Sequence, residues 1–428
     1  MRLKRSAGVL LHVTSLPGPF GIGDLGCVAF QFLDWLKSAG QSYWQVLPLG
    51  PTSDGSPYVA QSSWAGSPCL VSLEGLRDAG DLESHELAEA QSIEASLVDF
   101  GKVASSRESL LHRASSRFFA RGAGAERERF DAFVAKEAGW LGDWALFAAL
   151  KRKENGAAWW TWPRDIGLRE EGGLERARAS LAGEIAHEQY VQLRFFEQWG
   201  RVRARATELG IKLLGDVPIY CARDSADVWA ARPLFALDEG GEPLEVSGVP
   251  PDYFAKDGQL WGSPVYDWKR NEEDKYAWWV ERLRASLRHA DVVRIDHFRA
   301  FESYWAVPAN AKTARVGTWR SGPGDALFQA VRDALGDAPF IAEDLGIITK
   351  KVRELRDRWE LPGMRVLQFA FGQNASSPHL PIRYPHACVA YTGTHDNDTT
   401  AGWFAAASAA EKDEFRRYTA SDGDFAHY

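Results

Sequence analysis

Residues 291–300 read DVVRIDHFRA. Two valines and an isoleucine mark a short buried strand. Side chains in a strand alternate faces, so Val293 and Ile295 share one face and Arg294 and Asp296 the other. Burying a lone carboxylate is costly, and a cationic neighbour lowers that cost and keeps the group ionised. Two readings follow from this stretch: a structural ion pair, or a carboxylate held deprotonated for chemistry.

The same design recurs along the chain. Short apolar runs that end in polar or special residues occur at GVLLHV (8–13), YWQVLPL (43–49), IKLLGDVPIY (211–220), PFIAEDLG (339–346), MRVLQFAF (364–371) and ACVAYTGTHD (387–396). Helical patterns lie between most of them. Tyr276, Trp279, Val280, Leu283 and Leu287 form one apolar helix face, and Leu327, Phe328, Val331 and Leu335 another. Strands alternating with helices predict a parallel sheet with helical crossovers. Polar strand ends in a chain of 428 residues fit an α/β fold of the (β/α)8 TIM-barrel type better than an open sheet.

The expected organisation is one catalytic barrel domain over 1–428 with two insertions. Residues 73–200 are rich in Ala, Glu and Arg and read as a mainly helical insertion. Residues 221–273 are rich in Gly, Pro, Asp and aromatics and read as a loop-rich insertion over the active site. Seven strands are counted where a closed barrel needs eight. Either the count is one short or the last barrel strand is missing from this chain, and the latter is the expectation.

Composition narrows the function classes. The chain is 45% hydrophobic and 25% charged with net charge −8, which is ordinary for a globular protein. There is no basic block to bind nucleic acid or an anionic membrane. The N-terminal apolar run is too short for a signal-peptide core, and no stretch approaches a membrane span of ~20 residues. The four cysteines, Cys27, Cys69, Cys221 and Cys388, are scattered without metal-ligand spacing. Reduced thiols and a cytoplasmic location are the expectation, with no metal and no cofactor. The 18 tryptophans suit a protein that stacks planar-faced ligands such as sugars, although many belong in a core.

Catalytic residues of a barrel converge from the C-terminal ends of several strands. Asp296 in RIDHF, Glu343 in IAEDLG and Asp396 in THDND all meet that test, each separated from the next by room for a strand–helix–strand unit. Any one of them could be a helix cap, but three in matching positions point to a site. Carboxylates at a mouth without His/Cys metal spacing suggest acetal chemistry. A retaining glycosidase pairs a nucleophile with an acid/base at roughly 5–5.5 Å. Arg294 beside Asp296 suits an anionic nucleophile. Asp344 beside Glu343 is expected to raise its pKa, which suits an acid.

Longer stretches carry a family resemblance. GVLLHVTSLPGPFGIGDLG (8–26), WQVLPLGPT (44–52), GDVPIY (215–220), GVPPDYFAKDGQLWGSPVYDW (248–268), RIDHFRAFESYW (294–305), IAEDLG (341–346), MRVLQFAF (364–371) and YTGTHDNDTT (391–400) resemble, in order and across nearly the whole chain, the amylomaltases. These are 4-α-glucanotransferases of glycoside hydrolase family 77 in the α-amylase superfamily. The helical stretch 73–200 contributes little to the likeness.

The resemblance implies Asp296 as nucleophile, Glu343 as acid/base and Asp396 as the residue that holds sugar hydroxyls and stabilises the transition state. It implies that Arg294, His395, Asp216 and Tyr58 line the donor site, and that Asp252, Tyr253, Phe254 and Trp261 lie over the acceptor side. It implies malto-oligosaccharides and α-1,4-glucans as the partners, and no calcium. Chemistry alone leaves hydrolase and transferase open, and a glycan-binding protein without catalysis is the reading from another class. The resemblance selects transfer. The sequence departs from the family in VAQSSWAGSP after Tyr58 and in WGSP, where Ser263 cannot donate an amide. The end of the chain also lacks the family's further Arg/Asn/Pro/Gly motif. Oligomeric state is not expressed in the sequence.

Overall fold

The computed structural model describes residues 4–52, 55–91, 97–251, 255–372 and 376–421. Its centre is a parallel sheet of β1 (Gly8–Leu10), β2 (Tyr43–Gln45), β3 (Lys212–Val217), β6 (Val292–Ile295) and β9 (Phe340–Ala342), in that spatial order. The intervening numbers belong to β4 (Glu245–Val249), β5 (Gln259–Pro264), β7 (Ser303–Pro308) and β8 (Thr318–Ser321), which form a separate antiparallel sheet ordered β5-β4-β7-β8. Two more strands, β10 (Gly363–Val366) and β11 (Cys388–Tyr391), pair in parallel. The Ala342 N–H donates to the Pro362 carbonyl and ties β10 to β9. All seven apolar runs of the sequence are thus parallel strands.

The strand interior explains the alternation. Leu214, Val292, Ile341 and Met364 make one small apolar cluster, with Tyr43, Val389 and Tyr391 packed against it. Residues of six strands contribute to that cluster. The Tyr391 hydroxyl donates to Gln45 Oε1 at 2.7 Å and links β11 back to β2. Among the described residues β1 and β11 each have one strand neighbour. One layer nearer the strand ends, the register sets Asp216 opposite Arg294. Outward residues Val293 and Ile295 instead join a large core with the helices, which includes Trp279, Val280 and Leu283.

Residues 73–209 hold a series of helices, the longest being Phe100–Ala120, Ala138–Lys153 and Ala182–Leu209. The last ends at Gly210, whose φ of 72° is easy for glycine and costly for other residues. The first and last of these pack a second core around Leu110, Tyr190, Phe195 and Trp199, whereas Ala138–Lys153 buries Leu141, Trp144 and Phe147 in the large core. The segment expected to be loop-rich, 221–273, also supplies β4 and β5. Its glycines and short strand runs hid the period-2 pattern from a sequence reading. Trp44, Trp159, Trp199, Trp229 and Trp279 are fully buried, so much of the tryptophan surplus is core. No helix of the described residues is long and apolar enough to cross a membrane.

Candidate active site

Three adjacent strands deliver the central charges. Asp216 lies near the end of β3, Asp296 follows β6, and Glu343 follows β9. Parallel pairing places all three at one end of the sheet. The Asp296 N–H donates to the Val217 carbonyl and the Glu343 N–H to the Ile295 carbonyl, which continues the ladder past the strands and fixes both residues.

Arg294 is the hub. It is buried, donates through Nη1 to Asp216 Oδ2 at 2.6 Å, and donates through Nη2 to Asp296 Oδ1 at 2.6 Å. The expected Arg294–Asp296 pair is therefore present, and Asp216 completes a carboxylate–guanidinium–carboxylate chain. Tyr58 arrives from the loop after β2. Its hydroxyl lies 2.5 Å from Asp216 Oδ2, 2.7 Å from His395 Nε2 and 3.3 Å from Arg294 Nη1. The structure thus gathers Tyr58, Asp216, Arg294, Asp296 and His395 into one network.

Glu343 is held differently. Its two carboxyl oxygens accept the N–H groups of His297 at 2.8 Å and Leu345 at 2.7 Å. Burial and the Asp296 charge push its pKa up to about 8, against the smaller opposing pull of Arg294 and these two donors. Burial also raises Asp296, but Arg294 opposes that rise directly. The guanidinium sits on Asp296, so Asp296 keeps the negative charge and Glu343 keeps the proton.

The reason offered by the sequence for a raised Glu343 is corrected here. Asp344 does not supply the repelling charge. It accepts the Met364 N–H at 2.7 Å and pairs with Arg356 and Arg365 on the other side of the strand. Successive strand residues face opposite ways, so the relevant carboxylate comes from the neighbouring strand.

The remaining expected residues are placed less tightly. Asp396 is largely exposed, and its Oδ1 lies 3.5 Å from His395 Nε2. Trp261 lies on β5, 40% exposed, with its ring edge-on to His297 at 4.7 Å. Asp252, Tyr253 and Phe254 lie outside the described residues.

Two residues escaped the sequence reading. His12 follows β1 and is half-buried. Burial and the nearby His395 push its pKa down to about 4, and among the described residues its Nδ1 has no partner. Gln45, at the end of β2, accepts from Tyr391 while its Nε2 stays unpartnered. Asp216 Oδ1 and His395 Nδ1 are likewise buried without partners among the described residues. The available signal was a polar residue at the end of an apolar strand, the same signal that singled out Asp296. Buried polar atoms normally find partners, so four unpartnered atoms around one network mark a place where a polyhydroxylated ligand can complete the hydrogen bonding. An ionised carboxylate beside a protonated one is the equipment for attack on an acetal carbon with protonation of the leaving oxygen.

Comparison with known proteins agrees in kind. The family model for glycoside hydrolase family 77, described as 4-alpha-glucanotransferase, matches residues 11–427. The 4-alpha-glucanotransferase of Thermus thermophilus is 48% identical over 426 residues, covering 99% of this chain and 84% of the relative. That of Synechocystis is 47% identical over 419 residues, covering 97% of this chain and 83% of the relative. Among solved structures, the amylomaltase from Streptococcus agalactiae in complex with acarbose superposes with a TM-score of 0.94 at 35% identity, covering 98% of this chain and 85% of that one.

Proposed function

The chain belongs to the 4-alpha-glucanotransferase family, glycoside hydrolase family 77, and from that premise we propose a retaining transfer of α-1,4-glucan segments between malto-oligosaccharides with Asp296, Glu343 and Asp396 as its carboxyl groups. The activity is that of a 4-α-glucanotransferase, a transferase of hexosyl groups in starch and glycogen metabolism. The observation that carries the residue assignment is the split of charge between two carboxyls on adjacent strands: Asp296 on Arg294, and Glu343 pushed up to about 8.

The chemistry follows from that split. Asp296 attacks the anomeric carbon as Glu343 protonates the departing 4-oxygen, which leaves a covalent glucosyl-enzyme. Glu343, now a base, takes the proton of an incoming 4-hydroxyl, and a new α-1,4 bond forms with net retention. Asp396 and His395 hold hydroxyls of the donor sugar, with Asp216, Arg294 and Tyr58 on its other side. Trp261 covers the acceptor side and disfavours water over sugar. The proposal includes a (β/α)8-type barrel with insertions at 73–200 and 221–273 as the scaffold. It also includes a cytoplasmic setting, in keeping with four cysteines free of disulfides.

Maltotriose separates the readings. The full chain is expected to convert it to glucose plus maltopentaose and longer chains. Products no longer than maltotriose would replace transfer by hydrolysis. Glu343→Gln and Asp296→Asn are each expected to abolish both. Undiminished turnover in either would overturn the assignment of that residue.

A further inference from the structure

We infer that His297 is a positioning residue for Glu343 that acts through its backbone: a left-handed turn at this residue aims its N–H at the Glu343 carboxyl. The inference rests on Glu343 as acid/base. His297 has φ 48° and ψ 47°, a conformation that side-chain-bearing L-residues disfavour. It immediately follows Asp296 and precedes the short turn Phe298–Phe301.

The turn has a visible result. In extended chain, consecutive N–H groups point in opposite directions. Here two in a row converge on one residue, as in a backbone nest. The His297 N–H reaches Glu343 Oε2 at 2.8 Å, and the Phe298 N–H reaches the Glu343 carbonyl at 3.1 Å. The same short segment therefore carries Asp296 and grips Glu343 at both main chain and side chain.

The ring has a separate task. It is neutral, since burial and Arg299 push its pKa down to about 3, and it lies edge-on to Trp261. The charged groups facing Glu343 are Asp296 and Arg294 from the neighbouring strand. Asp344, next along its own strand, is paired with Arg356 and Arg365. An N–H donor favours the charged form and opposes the upward push of burial and Asp296. It keeps Glu343 able both to give its proton and to take one back in each cycle.

Two substitutions in the full chain separate backbone from ring. His297→Asn and His297→Val both remove the imidazole and its Trp261 contact. Asn tolerates the left-handed region, and β-branched Val does not. Disproportionation of maltotriose is measured as kcat, KM and the pH profile of kcat, with thermal melting alongside. Both variants are expected to raise KM alike. His297→Val is expected to have kcat lower than His297→Asn by on the order of tenfold. Its basic limb is expected to move to higher pH, because the Glu343 carboxylate has lost a donor. The limb of His297→Asn should stay where it is in the unsubstituted chain.

Equal kcat and coincident limbs for Asn and Val would overturn the inference. Should Val melt far below the assay temperature, His297→Gly decides. Glycine adopts the turn without steric cost, so it must restore the Asn-like limb and kcat, and a Gly variant with the Val profile overturns the inference. Glu343→Gln is run in parallel. Transfer retained there would remove the acid/base assignment itself, a failure distinct from that of His297.

Discussion

Removing one oxygen atom from Tyr58 tests the network most directly. A phenol offers one proton and two lone pairs. Burial and the adjacent Asp216 push the Tyr58 pKa far up, so it stays protonated. Asp216, ion-paired with Arg294, can only accept, so the Tyr58 proton lies toward its Oδ2 at 2.5 Å. The two lone pairs then receive Arg294 Nη1 at 3.3 Å and His395 Nε2 at 2.7 Å. His395 must therefore carry a proton on Nε2. In neutral His395 this leaves Nδ1, which is buried and unpartnered, as an acceptor for a sugar hydroxyl.

Tyr58→Phe deletes this logic without changing the packing volume much. Asp216 loses a charge-assisted bond worth about 1.5–3 kcal/mol, and the His395 N–H loses its acceptor at a cost of about 1–3 kcal/mol. Arg294 remains on Asp216, so the loss of stability should lie near the lower end of their sum, about 2.5–4 kcal/mol. Freed from Tyr58, the imidazole can take either tautomer and rotate. A loss of about 1.4–2.7 kcal/mol in transition-state stabilisation corresponds to roughly 10–100-fold in kcat/KM. The assay is the initial rate of glucose release from maltotriose, paired with thermal melting. His395→Ala and the double substitution complete a cycle, with an expected coupling of about 1 kcal/mol or more. A Tyr58→Phe enzyme within threefold of the unsubstituted kcat/KM would refute the tautomer argument, as would strict additivity with His395→Ala.

Four other outcomes follow. Transfer needs protonated Glu343, so kcat/KM should fall as pH rises through about 8; a flat profile from pH 6 to 10 would contradict this. The folded-state pKa of Glu343 is raised, so stability relative to Glu343→Gln should be greatest at low pH. It should decline as pH rises from the ordinary carboxyl value through about 8, as read from melting temperatures of the two proteins. Arg294→Met leaves buried Asp216 and half-buried Asp296 without their cation and should cost about 3–5 kcal/mol of stability in denaturant titration, with transfer lost. Remote from the site, Asp81 is fully buried and accepts from Tyr190 and Arg194, with Arg121 alongside. Asp81→Ala should destabilise the chain by about 3–5 kcal/mol while kcat per folded molecule stays unchanged.

Much of the scaffold is local and therefore readable from the chain. Each parallel strand is an apolar run of three to six residues, and hydrophobic periodicity reports that directly. The helix Ala277–His289 buries Trp279, Val280 and Leu283 from the face its spacing indicates. The antiparallel sheet was hidden, because β4 and β5 lie in a segment whose Gly and Pro content reads as loop, and β7, the other partner of β4, begins more than fifty residues later. Asp344 shows the opposite error. Adjacency along the chain suggested a repelling charge, yet the strand turned that side chain toward Arg356.

The sequence by itself determined the strand and helix alternation, the Arg294–Asp296 pair two residues apart, and the positions of Asp296 and Glu343 at strand ends. All of these depend on side-chain alternation and chain order. Only the tertiary structure decided how charge is shared among them. That depends on burial and on distances of a few ångströms between Tyr58, Asp216, Arg294, Asp296, Glu343 and His395, groups spread over more than three hundred residues of chain. Coulomb energy and desolvation follow separation in space, and no pattern along the chain encodes that.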